Sequence, residues 1–189
     1  MTGHRTTLVG LLRRWFPDGF RLGVEVGVAA GNTSRMLLEE FPDLHLVLVD
    51  PWDFFVYPFG DENAKAFKRD KSARSREAIV EKLRFAKDRV IILHGFSPQV
   101  TEMCKGGFDF VYIDGDHHYE AVKADMKAWW PLVRPHGIMC GHDYGYKGGQ
   151  APHHDVDRAV NEFMYRMGLQ LNLEENSIWW TRKLVMTTV

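Results

Sequence analysis

Apolar residues recur along this chain with two alternating periods. Leu8, Leu11, Leu12, Trp15 and Phe16 stand at helical spacing until Pro17-Asp18-Gly19 stops them, which predicts an N-terminal helix within residues 1–20. Short runs rich in Val, Leu and Ile follow at Leu22 to Val28, Leu44 to Val49, Val90 to Leu93, Phe108 to Ile113 and Gly137 to Gly141. Their density suits strands buried on both faces of a parallel sheet. Helical patterns fill the gaps: Asn32 to Glu40, an interrupted stretch over about 63–87, Tyr119 to Trp130, and Asp155 to Met167. Asn32, Thr33 or Ser34 is available to cap the first of these helices, and Asp155 the last. Leu169 to Leu173 and Ser177 to Val185, split by Glu174-Glu175-Asn176, read as a closing antiparallel hairpin with one of Trp179 and Trp180 facing in. Trp129 and Trp130 fall at a helix end packed on the sheet.

Alternation of strands and helices predicts an α/β fold, a doubly wound, mostly parallel sheet with right-handed crossovers and helices on both faces. Ligands of such sheets bind beyond the carboxyl ends of the strands. The loops after the strands are therefore where chemistry is expected.

Composition narrows the picture without changing it. The 189 residues show no repeat or linker-like tract, so one domain over 1–189 is expected. A net charge of −1 gives no bulk attraction to nucleic acid or to an anionic membrane. Basic residues between Lys65 and Arg89 are mixed with acids and read as a solvated helix face. Two cysteines, Cys104 and Cys140, suit a reducing compartment, and no apolar run reaches the ~20 residues of a membrane helix. The expectation is a cytoplasmic protein with a small-molecule substrate. A homodimer is a further expectation, because the short first helix could need a second copy to cover the sheet.

The first strand runs into Glu25-x-Gly27-x-x-x-Gly31-Asn32-Thr33-Ser34. Absent Cβ atoms at Gly27 and Gly31 let the backbone approach a ligand, and the helix start offers free N–H groups. A dinucleotide site uses G-x-G-x-x-G, its second Gly clearing room for a pyrophosphate. Here position 29 is Ala, which speaks against a nicotinamide cofactor. The E-x-G-x-x-x-G pattern resembles the first motif of class I S-adenosylmethionine-dependent methyltransferases, and the likeness runs from about Leu22 onward. It implies a Rossmann-like seven-stranded sheet and S-adenosylmethionine as cofactor.

Further positions follow in order. Asp50 closes the second strand, where a carboxylate can accept both ribose hydroxyls, and Trp52 beside it could cover the adenine. Gly95-Phe96-Ser97 follows the third strand, where the family lines the adenine pocket, although Phe96 stands where relatives often carry an acid. With Glu25, Gly27, Gly31, Asn32, Thr33, Ser34 and Asp114, these form the expected cofactor site.

Asp114-Gly115-Asp116-His117-His118-Tyr119-Glu120 closes the fourth strand, and Gly141-His142-Asp143-Tyr144 the fifth. Carboxylates beside a core are costly unless they bind something. Two of them on neighbouring strand ends can share one hard cation, and Mg²⁺ needs only one or two such ligands. These segments look like those of small-molecule O-methyltransferases, macrolide-sugar and catechol enzymes among them. The resemblance implies Asp114 and Asp143 as metal ligands. The preceding position, often Asp in the sugar enzymes, is His142 here. That leaves a mixed site of Asp114, His142 and Asp143 for Mg²⁺, for a softer ion such as Mn²⁺ or Fe²⁺, or no metal at all. Asp114, His117 and His142 are the candidate catalytic bases. Asp116 could instead cap the next helix, and His118 simply pack.

The expected activity is O-methylation of a sugar or phenol hydroxyl with divalent-metal assistance. A metal-independent methyltransferase and a non-catalytic cofactor-binding protein are the alternatives. Residues 53–75, with Phe54, Phe55, Tyr57 and Phe59, and residues 144–154, with Tyr146, Lys147 and two glycines, are candidate substrate lids. His153-His154-x-x-Asp157 lacks a zinc spacing.

Overall fold

The computed structural model describes residues 3–52, 75–145 and 155–184. Seven strands form one sheet: β1 Leu22–Val26, β2 His45–Asp50, β3 Val90–His94, β4 Phe108–Ile113, β5 Val133–Gly141, β6 Asn172–Glu174 and β7 Ile178–Arg182. Their order is β3-β2-β1-β4-β5-β7-β6. The first five are parallel, and β7 runs antiparallel to both β5 and β6. This is the expected doubly wound sheet with a C-terminal hairpin.

Helices α1 His4–Trp15, α2 Asn32–Glu40 and α3 Arg76–Lys82 serve one core. Leu8, Leu12, Leu37, Leu38 and Ile79 meet Leu46, Leu48, Phe110 and Tyr112 there. α5 Tyr119–Trp129 and α6 Val156–Met167 serve the other, with Val122, Met126, Trp129, Val160 and Phe163 against Val24, Val111 and Met139. Leu8, Leu11 and Leu12 are almost wholly buried, so the apolar side of α1 is covered by its own chain. Trp129 is buried at the end of α5, as expected. Both hairpin tryptophans are buried, against the expectation of one facing solvent: Trp179 enters the second core and Trp180 the first. Period-2 alternation does put them on opposite faces, but helices cover both faces there.

Boundaries moved where polar residues take part. β1 ends at Val26, two residues early, because Gly27 (φ +87°) turns the chain out of the sheet. β5 begins at Val133, through Arg134-Pro135-His136, which alone carry no strand pattern. β6 starts at Asn172, later than the apolar run suggests. A short helix, α4 Ser97–Val100, was not legible beforehand. Gly31 (φ +67°), and none of Asn32, Thr33 or Ser34, occupies the N-cap of α2. Asp155 holds the N-cap of α6, but its side chain makes no capping bond and instead faces Arg158 at 3.6 Å. The C-terminal end of α2 is closed by Arg89, whose guanidinium donates to the carbonyls of Leu38, Phe41 and Leu44. Among the described residues no helix is long and apolar enough to cross a membrane.

Candidate active site

Strand order reverses between β1 and β4, and ligands of doubly wound sheets bind at that switch point. The two strands stay paired to their ends, where Asp114 N–H donates to the Val26 carbonyl at 2.8 Å. The glycine loop after β1 thus lies directly against Asp114-Gly115.

The loop is fixed from beneath. Asp50 Oδ2 accepts from the N–H groups of Val28 (2.9 Å) and Ala29 (2.8 Å), and Oδ1 from Trp52 N–H (2.7 Å). A carboxylate has about four acceptor sites. The residue expected to take both ribose hydroxyls therefore has about one site left. Trp52 is 3% exposed, with its indole N–H on the Ala29 carbonyl at 3.3 Å, so it braces the loop from within. Glu25 is 1% exposed and accepts from Ser34 Oγ at 2.5 Å. Thr33 and Ser34 are buried as well, so what they turn toward a ligand is backbone N–H.

Burial pushes the Glu25 pKa up to about 8, partly opposed by the Ser34 hydrogen bond and reinforced by the Asp114 and Asp50 charges. Between about pH 4.5 and 8 the folded protein keeps a proton there that the unfolded chain has released. Stability contributed at this position is therefore fully present below pH 4.5 and falls as pH rises toward 8. Glu25→Gln is expected to flatten the pH dependence of unfolding free energy over that window by on the order of a few kcal/mol. Urea melts at pH 5, 6.5 and 8 measure it, and equally steep curves in both proteins would count against the assignment.

On the β3 side, Gly95 N–H donates to the Asp50 carbonyl at 3.2 Å and Phe96 is 43% exposed. Ser97 starts α4 and accepts from Trp129 Nε1 at 2.7 Å. It also bonds Asp125, whose pKa burial raises to about 7 despite the Ser97 hydrogen bond. The Ser97 hydroxyl is thus engaged inside the fold, beside the position where an adenine edge was expected.

The acidic strand ends converge. Donor atoms of Asp114, His117 and Asp143 all lie within 4.8 Å of one another. His117 Nε2 stands 2.5 Å from Asp143 Oδ2 and 3.9 Å from Asp114 Oδ1. His142 Nδ1 lies 3.2 Å from Asp143 Oδ2 and 3.7 Å from Asp114 Oδ1. Tyr112, fully buried, donates its hydroxyl to Asp114 Oδ2 at 3.0 Å. Asp143 sits in the left-handed region (φ +61°), a strained conformation of the kind that persists at functional sites.

Burial alone would lower the His142 pKa, but hydrogen bonds to Asp114 and Asp143, and their charges, raise it to about 9. His117 is raised in the same way, burial again being overcome by Asp143 and then Asp114. Burial would lift Asp143, yet the two imidazoles hold it well below the usual carboxylate range. Asp116 accepts from His118 N–H at 2.9 Å and from its ring, so this pair shapes the turn into α5.

Three contributors escaped the sequence reading. Tyr112 lies two residues before Asp114, on the same strand face, a relation that period 2 could have shown. Asp125 occupies an apolar station of α5, among Val122, Met126 and Trp129. His4 comes from far away in sequence: its ring centre is 4.3 Å from that of His142. Phe54, Phe55, Tyr57, Phe59, Tyr146, Lys147, the 148–149 glycines, His153 and His154 lie outside the described residues, and with them nearly all of both candidate lids.

A glycine loop and an acidic cluster thus meet at one switch point. The family model described as "Methyltransferase domain" matches residues 24–144, from β1 through the end of the acidic cluster. The chain belongs to this methyltransferase family. The sheet of the methyltransferase is of the Rossmann-like type. Its fold is shared by a candidate caffeoyl-CoA O-methyltransferase from Staphylococcus aureus (15% identity, 95% of this chain and 82% of that one, TM-score 0.69). It is shared also by the O-methyltransferase NovP (18%, 96% and 78%, TM-score 0.65). MycE of the mycinamycin biosynthetic pathway, solved with Mg and S-adenosylhomocysteine, aligns at 18% identity over 95% of this chain and 50% of its own, TM-score 0.60. In sequence, the chain is 26% identical over 95 residues to the uncharacterized protein y4gI of Sinorhizobium fredii. It spans 10% of the length of that curated relative.

Proposed function

We propose that the methyltransferase methylates a hydroxyl group of a small molecule, a sugar or a phenol, with a divalent cation held by Asp114, His117 and Asp143. The convergence of these side chains beside the glycine loop carries the reading. Ligands around Mg²⁺ at about 2.1 Å stand about 3 Å apart when adjacent and about 4.2 Å when opposite. The 3.9 Å between His117 and Asp114 lies in that range. The 2.5 Å between His117 and Asp143 is a hydrogen bond that a bound ion would have to open, so the donor set fits with a small shift of the imidazole. An imidazole among the ligands admits Mn²⁺ as readily as Mg²⁺.

When bound, the sulfonium cofactor supplies an activated methyl group, and the cation lowers the pKa of the acceptor hydroxyl. The chain's own part is positioning and proton transfer. Tyr112 fixes one Asp114 oxygen, leaving the other toward the cluster. His142, in reach of both carboxylates and of the cleft beside them, is placed to take the hydroxyl proton. Its pKa of about 9 is raised against burial by the hydrogen bonds and charges of Asp114 and Asp143. It is therefore free to accept that proton near neutral pH only once a cation engages those carboxylates.

One observation favours the metal-independent alternative: His117 and His142 already face both carboxylates, so the cluster compensates its own charge. Calorimetric titration of Mg²⁺ and Mn²⁺ into chelator-treated protein holding S-adenosylhomocysteine separates the two. Uptake of one ion per chain, lost in Asp114→Ala, is the expected result. Retained cofactor binding without ion uptake would transfer the role to the imidazoles alone.

A further inference from the structure

Two cations flank the start of α2, and among the described residues neither forms an ion pair with a carboxylate. Arg5, in the first turn of α1, donates through Nε to Thr33 Oγ1 at 3.2 Å. Lys82, the last residue of α3, donates to the Ala30 carbonyl and to Asn32 Oδ1, the latter at 3.0 Å. Lys82 thereby ties the loop to α3. Arg5 spends one of its five donors on Thr33 and has no other acceptor among the described residues. The acid whose charge it meets, Glu25, gives its carboxyl to Ser34. The N–H groups of Asn32, Thr33 and Ser34, at the positive end of the α2 dipole, also have no acceptor among the described residues.

Charge around the loop is therefore polarised. Asp50 holds the Val28-Ala29 side with a carboxylate, while a guanidinium and three open N–H groups stand on the Asn32-Thr33-Ser34 side. A ribose needs acceptors for its hydroxyls, and the α-carboxylate is the cofactor's one anionic group. Arg5 is also next to His4, whose ring contacts His142 in the acidic cluster. The cofactor's amino-acid end, joined to the reacting sulfur by a short chain, must lie near that cluster.

We propose that Arg5, carried by the N-terminal helix, binds the carboxylate of the cofactor's amino-acid end, together with the open N–H groups of α2. The inference rests on placing S-adenosylmethionine at the glycine loop. It makes the first turn of α1 part of the cofactor site, a role that no glycine-loop motif announces.

Calorimetric titration of the full chain with two ligands tests it. S-adenosylhomocysteine carries the carboxylate, and 5′-methylthioadenosine keeps the nucleoside and sulfur without the amino acid. Arg5→Gln, which can still hydrogen-bond Thr33, is expected to weaken S-adenosylhomocysteine by about tenfold to a hundredfold. Its affinity for 5′-methylthioadenosine should not change, and Arg5→Lys should recover part of the loss. Equal losses for both ligands would make Arg5 a strut between α1 and α2 and overturn the proposal, as would no loss for either. If the wild-type chain binds neither ligand, the placement of the cofactor itself is wrong.

Discussion

Gly27→Ala is expected to destroy cofactor binding and to destabilise the fold in one step. The residue sits at φ +87°, and a Cβ built there would lie 2.2 Å from the Asp114 carbonyl oxygen and 2.5 Å from Gly115 Cα. Both obstacles are backbone, so no side chain can swing aside. They follow directly on β4, which is paired with β1 up to Val26↔Ile113. Accommodating one methyl group therefore means parting the two strands at the switch point and displacing Asp114. Overpacking and backbone strain together cost about 2–4 kcal/mol. Affinity for S-adenosylhomocysteine should fall at least about a hundredfold, the equivalent of about 2.7 kcal/mol. Gly107→Ala is the control: its φ is +85°, but a Cβ would meet nothing within 4 Å. It should show strain of about 1–2 kcal/mol and unchanged binding. Urea melts and titrations of the two variants give both numbers, and wild-type affinity in Gly27→Ala would remove the loop from the cofactor site.

Asp143→Asn is expected to lower turnover by about two to four orders of magnitude and to keep the fold at reduced stability near neutral pH. Asparagine tolerates the left-handed conformation that Asp143 adopts, and it keeps the side chain's size. What it removes is the charge that His117 and His142 both face. Without it, an ion has one carboxylate fewer, and the His142 pKa falls back from about 9 toward its ordinary value. The raised His142 pKa stabilises the wild-type fold fully below about pH 6.5, and that share is lost as pH rises through about 9. The depressed Asp143 pKa contributes above the ordinary carboxylate range and is lost on acidification. The variant should lose both flanks of this window. Release of S-adenosylhomocysteine in the presence of a hydroxyl acceptor, followed beside pH-dependent melting, measures the two effects. Full turnover in the variant would place the chemistry elsewhere.

The fold was legible because burial on both faces leaves a strong signature. β2 and β4 are almost continuous apolar runs, and the glycines at 27 and 31 mark where β1 turns into α2. The start of β5 was not, since Arg134-Pro135-His136 fall where the β4–β5 register shifts, between the Phe108↔Val133 and Phe110↔Ile138 pairs, and they carry no apolar pattern. Capping misled for a related reason: Gly31 already sits left-handed at the N-cap, which leaves the polar residues behind it inside the helix.

Within the site, Asp114, Asp143, His117 and His142 could be named because each stands just after a strand end. What each touches could not. Asp50 and Trp52 were expected to face the ligand, whereas the structure shows them bracing the loop from within. His4 and Arg5 stay invisible to motif reading, since only the packing of α1 beside α2 and β7 brings them to the switch point.

The central claim is that the loop between Gly27 and Ser34 binds S-adenosylmethionine. Titration of S-adenosylhomocysteine into the chelator-treated wild-type chain, with NAD as the control, addresses it most directly. The account predicts saturable binding of one S-adenosylhomocysteine per chain and none of NAD. Absence of S-adenosylhomocysteine binding with and without added Mg²⁺ or Mn²⁺, or preference for NAD, would contradict it.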